Sequence, residues 1–138
     1  MNLFVCDNNI NKFIQELYNF IQEKLADDFP VIYSKTDYIY IGHKNFYIYI
    51  YDEFGWEHLR EEYDINININ IDINVYNKLY EQAVDDISRI INWLIDRNKE
   101  DFLLFDDQSV PILYRKKGEV IVNKGYMYFP LKKIITQN

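Results

Sequence analysis

Cysteine is nearly absent from this chain. Cys6 is the only one, so no disulfide can form within it, and its fold must rest on an ordinary buried core. A lone thiol suits a reducing compartment. Glycine and proline are also scarce, 4 and 3 in 138 residues, which leaves little room for long irregular connections. No apolar run approaches the roughly 18 residues of a membrane span. The N-terminal run Met1-Asn2-Leu3-Phe4-Val5-Cys6-Asp7 has neither the basic region nor the apolar stretch of a signal or transit peptide. These absences predict one soluble, cytoplasmic domain over residues 1–138. The catalytic signatures are missing too: no G-x-S-x-G elbow, no Gly-rich phosphate loop and no H-E-x-x-H. The two histidines, His43 and His58, fall in expected connections, where a solvated ring is the ordinary outcome. Cys6 has no basic or histidine neighbour in sequence and reads as a structural thiol. No enzyme activity, cofactor or metal is expected.

Isoleucine, asparagine and tyrosine are abundant, at 21, 15 and 13 residues. Their codons are AT-rich, so genome composition explains part of the excess, but it does not explain their order. The net charge of −7 is carried wholly by residues 1–69, which hold 5 basic and 12 acidic side chains. Such a half repels phosphate backbones, which argues against nucleic acid as a partner and favours a basic protein.

Apolar residues Ile10, Phe13, Ile14, Leu17, Ile21 and Leu25 recur at spacings of three and four and predict an amphipathic helix over residues 9–28, ended by Pro30. Strand-like runs follow at 31–34, 38–41 and 46–51, the last two joined by Gly42-His43-Lys44-Asn45. Alternation assigns Ile39, Ile41, Phe46, Ile48 and Ile50 to one face, and Tyr38, Tyr40, Tyr47, Tyr49 and Tyr51 to the other. From Ile65 to Val75 every odd residue is branched and apolar, while the even ones are Asn or Asp, which predicts an interior strand with one buried and one wet face. On that reading Ile69→Asn destabilises and Asn68→Thr is nearly neutral. A second amphipathic helix is predicted over 76–97, with Tyr76, Leu79, Tyr80, Ala83 and Ile87 on its apolar stripe. A meander follows at 102–105, 110–115 and 119–123, and a last helical turn is expected from Pro130. The expected fold is α+β: an antiparallel sheet of about six or seven strands with two main helices on one face, the other face carrying Tyr and Asn.

Two features stand out as candidate binding surfaces. Asp52, Glu53, Glu57, Glu61, Glu62 and Asp64 crowd into residues 52–64 against the single Arg60, in what reads as a polar connection with at most one helical turn. The cluster lacks the ligand spacing and central glycine of a calcium loop. Next to it, Tyr47, Tyr49 and Tyr51 share a strand face, and tyrosine offers large contact area at low entropic cost.

The stretch from the alternating strand through the second helix to Glu100-Asp101-Phe102-Leu103-Leu104-Phe105, Val110-Pro111-Ile112-Leu113-Tyr114-Arg115 and Gly118-Glu119-Val120-Ile121-Val122-Asn123 resembles a family of bacterial immunity proteins paired with polymorphic toxins. These are toxins of the contact-dependent and outer-membrane-exchange kind. In that family a "D-x-x-L-L-F … L-x-R-x-x-G-x-L-x-x-N" run follows such a helix. The resemblance covers about residues 63–123 and brings no binding residue with it. It implies a cytoplasmic inhibitor that neutralises the C-terminal domain of a cognate toxin by stoichiometric binding, for which a basic nuclease would be the electrostatic match. The alternative is a small acidic regulatory or structural module that binds an unrelated protein.

Overall fold

A computed structural model describes residues 1–25, 30–52, 57–76, 78, 80–97 and 99–123. Glu53, the N-terminal part of the second predicted helix at Leu79 and the turn expected from Pro130 lie outside the described residues. In chain order the elements are β1 (Asn2–Val5), α1 (Ile10–Lys24), β2 (Val31–Ser34), β3 (Ile39–Gly42), β4 (Phe46–Tyr51), α2 (Glu57–Tyr63), β5 (Ile69–Val75), α3 (Tyr80–Arg97), β6 (Phe102–Phe105), β7 (Pro111–Lys116) and β8 (Glu119–Val122). All eight strands join one sheet in the order β2-β3-β4-β5-β1-β6-β7-β8, and every neighbouring pair is antiparallel. The fold is therefore the expected α+β arrangement with one more strand and one more helix.

The extra strand is β1, and it lies in the middle of the sheet. Leu3 and Val5 join the core under the helices, while Phe4 is buried on the opposite side with Leu103 and Phe105 of β6. A strand covered on both sides has no alternation to betray it, and four residues are too few to announce a strand by length. The alternating segment is an interior strand, as predicted, with Ile69, Ile71 and Ile73 in the main core. Its alternation does not place all its isoleucines on one face, however. Ile65 and Ile67 precede the ladder and are buried in the second cluster, on the other face. The switch falls at Asn68. Its side chain accepts from the Asp7 amide at 2.9 Å and donates to the Asp7 carbonyl at 2.8 Å, and its own amide donates to the Val5 carbonyl at 2.9 Å. Asn68 is exposed, as its wet-face assignment predicts, but it also ties the strand to the end of β1.

α1 and α3 cover the first face, and their apolar stripes meet Ile41, Phe46, Ile48, Ile50 and the β5 isoleucines. Asn9 caps α1 by accepting from the Lys12 amide at 3.1 Å. The second predicted helix begins later than expected, at Tyr80. Tyr76 and Tyr80 are both exposed and so lie outside its buried stripe. The second face was expected to carry only Tyr and Asn, yet α2 covers part of it. Leu59 and Tyr63 of α2 pack with Phe4, Leu103, Phe105 and Tyr114, so the acidic connection is a helix docked over β1, β6 and β7.

Polar clamps hold the helices in place. Arg97, at the end of α3, pairs with Asp7 at 2.8 Å and with Glu16 of α1, and its guanidinium lies over the rings of Phe13 and Trp93. Burial works against its charge, but the hydrogen bonds to Asp7 and Glu16 prevail and raise its pKa. The hairpin between β3 and β4 makes a second clamp. His43, expected to be solvated, is buried; its Nδ1 accepts from the Asn45 amide at 3.1 Å, which leaves Nε2 to donate to the Leu25 carbonyl at 2.8 Å. That carbonyl is one of the unpaired acceptors at the C-terminus of α1. Asn45 donates to Asp86 of α3 at 2.8 Å, so one short loop holds both helices.

Three substitutions have defined outcomes in urea unfolding. Ile69→Asn should cost about 1–3 kcal/mol for the buried amide, in addition to the lost apolar burial. Asn68→Thr should also destabilise, by about 1–2 kcal/mol, because it removes two hydrogen bonds to the Asp7 backbone; a neutral Asn68→Thr would contradict the bridging role. His43→Ala should cost about 1–3 kcal/mol by stranding the Leu25 carbonyl, whereas a loss within experimental error would show that the loop clamps nothing.

Candidate functional site

The part of the second face left uncovered by α2 among the described residues is a sheet of tyrosine rings. Tyr40, Tyr47, Tyr49 and Tyr51 project from β3 and β4 on the side opposite the main core, as alternation predicted, and Tyr38 joins them. Tyr33 of β2 stacks on Tyr40 with centroids 4.7 Å apart, and Tyr76, just past β5, meets Tyr47 at 5.4 Å. Between these ends, Tyr38 meets Tyr49 edge-on at 5.2 Å, Tyr40 lies 5.3 Å from Tyr49, and Tyr47 and Tyr51 flank Tyr49 at 5.8 and 6.4 Å. Such ring pairs contribute about 0.5–1.5 kcal/mol each beyond burial, so the lattice is fixed before any partner arrives. Gly42 makes room for it: a Cβ there would come within 2.9 Å of the Tyr40 ring.

A polar row borders the rings. Asn70, Asp72 and Asn74 of β5 stand opposite Tyr51, Tyr49 and Tyr47 in register. The Asn70 Oδ1 is buried without a hydrogen-bond partner, where the tyrosine field meets Phe4 of β1. Beyond β1, a groove of about 330 Å³ runs along α2, lined by Asn2, Phe4, His58, Leu59, Glu62, Tyr63, Phe105 and Ser109. Asn2 is paired with Asp72, so the groove adjoins the polar row. The face thus has a tyrosine floor, a row of acceptors and a helical wall bearing acids.

The predicted site residues are only partly gathered here. Tyr47, Tyr49 and Tyr51 form the centre of the floor. Glu57, Glu61 and Glu62 are exposed on α2, with Glu62 on the groove. Asp64 sits past the end of α2 with φ 53° and pairs with Lys116 at 3.6 Å, which takes it toward β7. Asp52 lines a different hollow of about 200 Å³, between the start of α1 and the β2–β3 turn. The acids that crowd together in sequence are therefore spread apart by α2. Tyr33, Tyr76 and Asp72 were missed as site residues. Their strand parity could have placed the first and last on this face, but nothing in sequence marked Tyr76 as leaving the helix.

The hydroxyls of Tyr40, Tyr51 and Tyr63 hold their protons more tightly than free tyrosine. Burial, then the Asp72 charge, raises the Tyr51 pKa; burial, then Tyr76, raises that of Tyr40; burial, then Glu62, raises that of Tyr63. The face can therefore donate through hydroxyls and accept through Asp72 and Asn70, while ring faces offer contact to aliphatic chains and cations. Burial, followed by the charges of Glu100 and Asp7, also raises the Cys6 thiol, so it is a poor nucleophile. Among the described residues, no three of His, Cys, Asp and Glu converge as metal ligands, and no helix is long and apolar enough to cross a membrane.

Fold and face together define an α+β protein with an array of packed tyrosine rings on half of one sheet face. Compared with models of known protein families, with curated proteins and with solved structures, the chain matches none. The residues of the immunity-like run mostly build the scaffold. Leu103, Leu104 and Phe105 are core; Arg115 is buried, donates to the Ile95 carbonyl at 3.2 Å near the end of α3 and lies over Phe102. Gly118 turns the β7–β8 hairpin at φ 82°, and the Asn123 side chain closes it by donating to the Pro111 carbonyl at 2.8 Å.

The raised tyrosine pKa values have a measurable consequence. A tyrosine whose folded pKa lies above its ordinary value of 10.0 stabilises the fold fully below that pH, and the stabilisation is lost as pH rises through the folded pKa. Phenolate absorbance should show a set of tyrosines ionising later than free tyrosine, with unfolding setting in over the same range. Substituting Tyr51 with Phe should remove one late-ionising group; ionisation of all tyrosines at the ordinary value would contradict the packed lattice.

Proposed function

We propose that the protein is an immunity protein that binds and neutralises a cognate bacterial toxin in a stoichiometric complex, with the tyrosine floor as its docking surface. The observation that carries the reading is the floor itself: seven ring-packed tyrosines on a sheet face that no described residue covers, next to an unpartnered Asn70 acceptor and the Asp72 carboxylate. Tyrosine anchors of this kind dominate tight protein interfaces, and a preformed array loses little entropy on binding. The acidic N-terminal half and the acids of α2 favour a basic partner, and a toxin that attracts nucleic-acid phosphate would be one. The resemblance of residues 63–123 to the immunity family supports the same reading. An inhibitor of this type acts in the cytoplasm of the cell it protects and does no chemistry of its own. A regulatory module for an unrelated protein would use the same floor, so the partner's identity separates the two.

The test is co-expression with the product of any large open reading frame adjacent to this gene, followed by surface-binding kinetics. Immunity predicts rescue of growth and a one-to-one complex; an intact complex without rescue, or no complex, contradicts it. Within the complex, Tyr49→Ala should speed dissociation by about tenfold or more, as loss of a buried anchor does. Glu57→Lys combined with Glu61→Lys should instead slow association, and added salt should shrink that difference. An unchanged on-rate at low salt would remove α2 from the interface.

A further inference from the structure

Among the described residues the sheet ends in two unpaired edges, and they are not alike. β8 carries Glu119 and follows Lys116 and Lys117, the charged residues that usually guard an edge. β2 reads Val-Ile-Tyr-Ser with no charge, and its Val31, Ile32 and Tyr33 are 56%, 39% and 39% exposed. No described residue pairs with its outer side. An unguarded apolar edge is a template for another strand.

The hydrogen-bond pattern says which strand fits. The Lys35 amide donates to the Tyr38 carbonyl of the neighbouring strand at 2.8 Å, and Tyr33 is in register with Tyr40. Alternation therefore turns the amide groups of Tyr33 and Lys35 toward β3 and those of Ile32 and Ser34 outward. We propose that β2 pairs antiparallel with β2 of a second copy of this chain, about a two-fold axis normal to the sheet. Such an axis keeps both tyrosine faces on one side, so residues of equal parity must oppose one another. Centring on Ile32 would set Ser34 against Pro30, which has no N–H and whose carbonyl already accepts from the Tyr18 hydroxyl at 3.0 Å. Centring on Tyr33 sets Ile32 against Ser34 of the second copy twice over and satisfies every outward donor and acceptor of both residues. Tyr33 then faces Tyr33 of the second copy at a non-hydrogen-bonded position, where side chains lie closest. Each Tyr33 is stacked on its own Tyr40, so the two tyrosine floors join into one. The four residues of β2 are uncharged, and Lys35, which follows them, carries its ammonium over the Tyr33 ring at 5.5 Å; the net charge of −7 on each copy opposes pairing only at long range. The dimer should tighten with added salt, the reverse of the salt effect expected for a basic partner.

Sedimentation equilibrium over a concentration series, at low and high salt and without any partner protein, tests this. The wild type should form a dimer that salt strengthens. Ser34→Pro removes an outward N–H and no bond to β3, so it should fold normally and weaken the dimer by about tenfold or more. Ile32→Lys, which adds a charged guard, should do the same and replaces the first variant if that one misfolds. Tyr33→Cys should form a disulfide-linked dimer on mild oxidation, because opposed residues at such a position have Cα atoms about 4.5 Å apart. Val31→Cys should not, and the buried Cys6 gives little background. A wild type that stays monomeric, a dimer indifferent to both edge variants, or cross-linking through Val31→Cys as readily as through Tyr33→Cys would overturn the proposal.

Discussion

The middle of the sheet carries apolar side chains on both sides, and this constraint shapes everything around it. Leu3 and Val5 of β1 and Phe102 and Leu104 of β6 face one way, while Phe4, Leu103 and Phe105 face the other. Exposing either side to water would cost about 25 cal/mol for each Å² of apolar surface. The first side is covered by α1 and α3 across the strands from β3 to β7. Among the described residues the second has only α2, seven residues long, and these residues roof only the part over β1, β6 and β7. Toward β2 the covering ends, and the exposed face changes from Phe and Leu to Tyr, Asn and Asp. The tyrosine floor is thus what one short helix leaves uncovered on a two-sided sheet.

The same division explains what could be read in the sequence. Elements with one wet side were legible: α1, β3, β4 and the β5 ladder fall close to their expected places because their alternation or 3.6-residue period marks a boundary between core and water. β6 is buried on both sides and was legible as a short apolar run bounded by Asp101 and the Asp106-Asp107 turn, whereas β1 has neither a wet side nor a turn before it. α2 was hidden by its own acids: with six carboxylates in residues 52–64, only Leu59 and Tyr63 mark the face it buries. His43 shows the limit of reading a loop by composition. Its position in a hairpin suggested solvent, but the end of α1 sits beside it and needs a donor. The tyrosines of β4 were identified from strand parity alone. The scatter of Asp52, α2 and Asp64 into separate places depends on how α2 docks, which no local pattern specifies.

Stability and surface are linked through the clamps. The loop that carries His43 and Asn45 joins β3 to β4, the strands that bear Tyr40, Tyr47, Tyr49 and Tyr51, and it fastens both helices from the opposite face. Arg97 fastens the other ends of α1 and α3 beside Asp7, the residue whose backbone Asn68 brackets. The rings therefore stand on strands held from behind at both ends, as a rigid contact surface requires.

The account stands on the claim that a partner protein docks on the tyrosine floor. Tyrosine-selective isotope labelling, with ring resonances followed by NMR as the candidate toxin from the co-expression test is added, measures this directly. The account predicts shifts or broadening at Tyr40, Tyr47, Tyr49 and Tyr51, while Tyr18, packed against the main core beneath α1, stays unmoved until the complex is saturated. Binding that perturbs Tyr18 or Tyr114 and leaves the four floor tyrosines unchanged would contradict it.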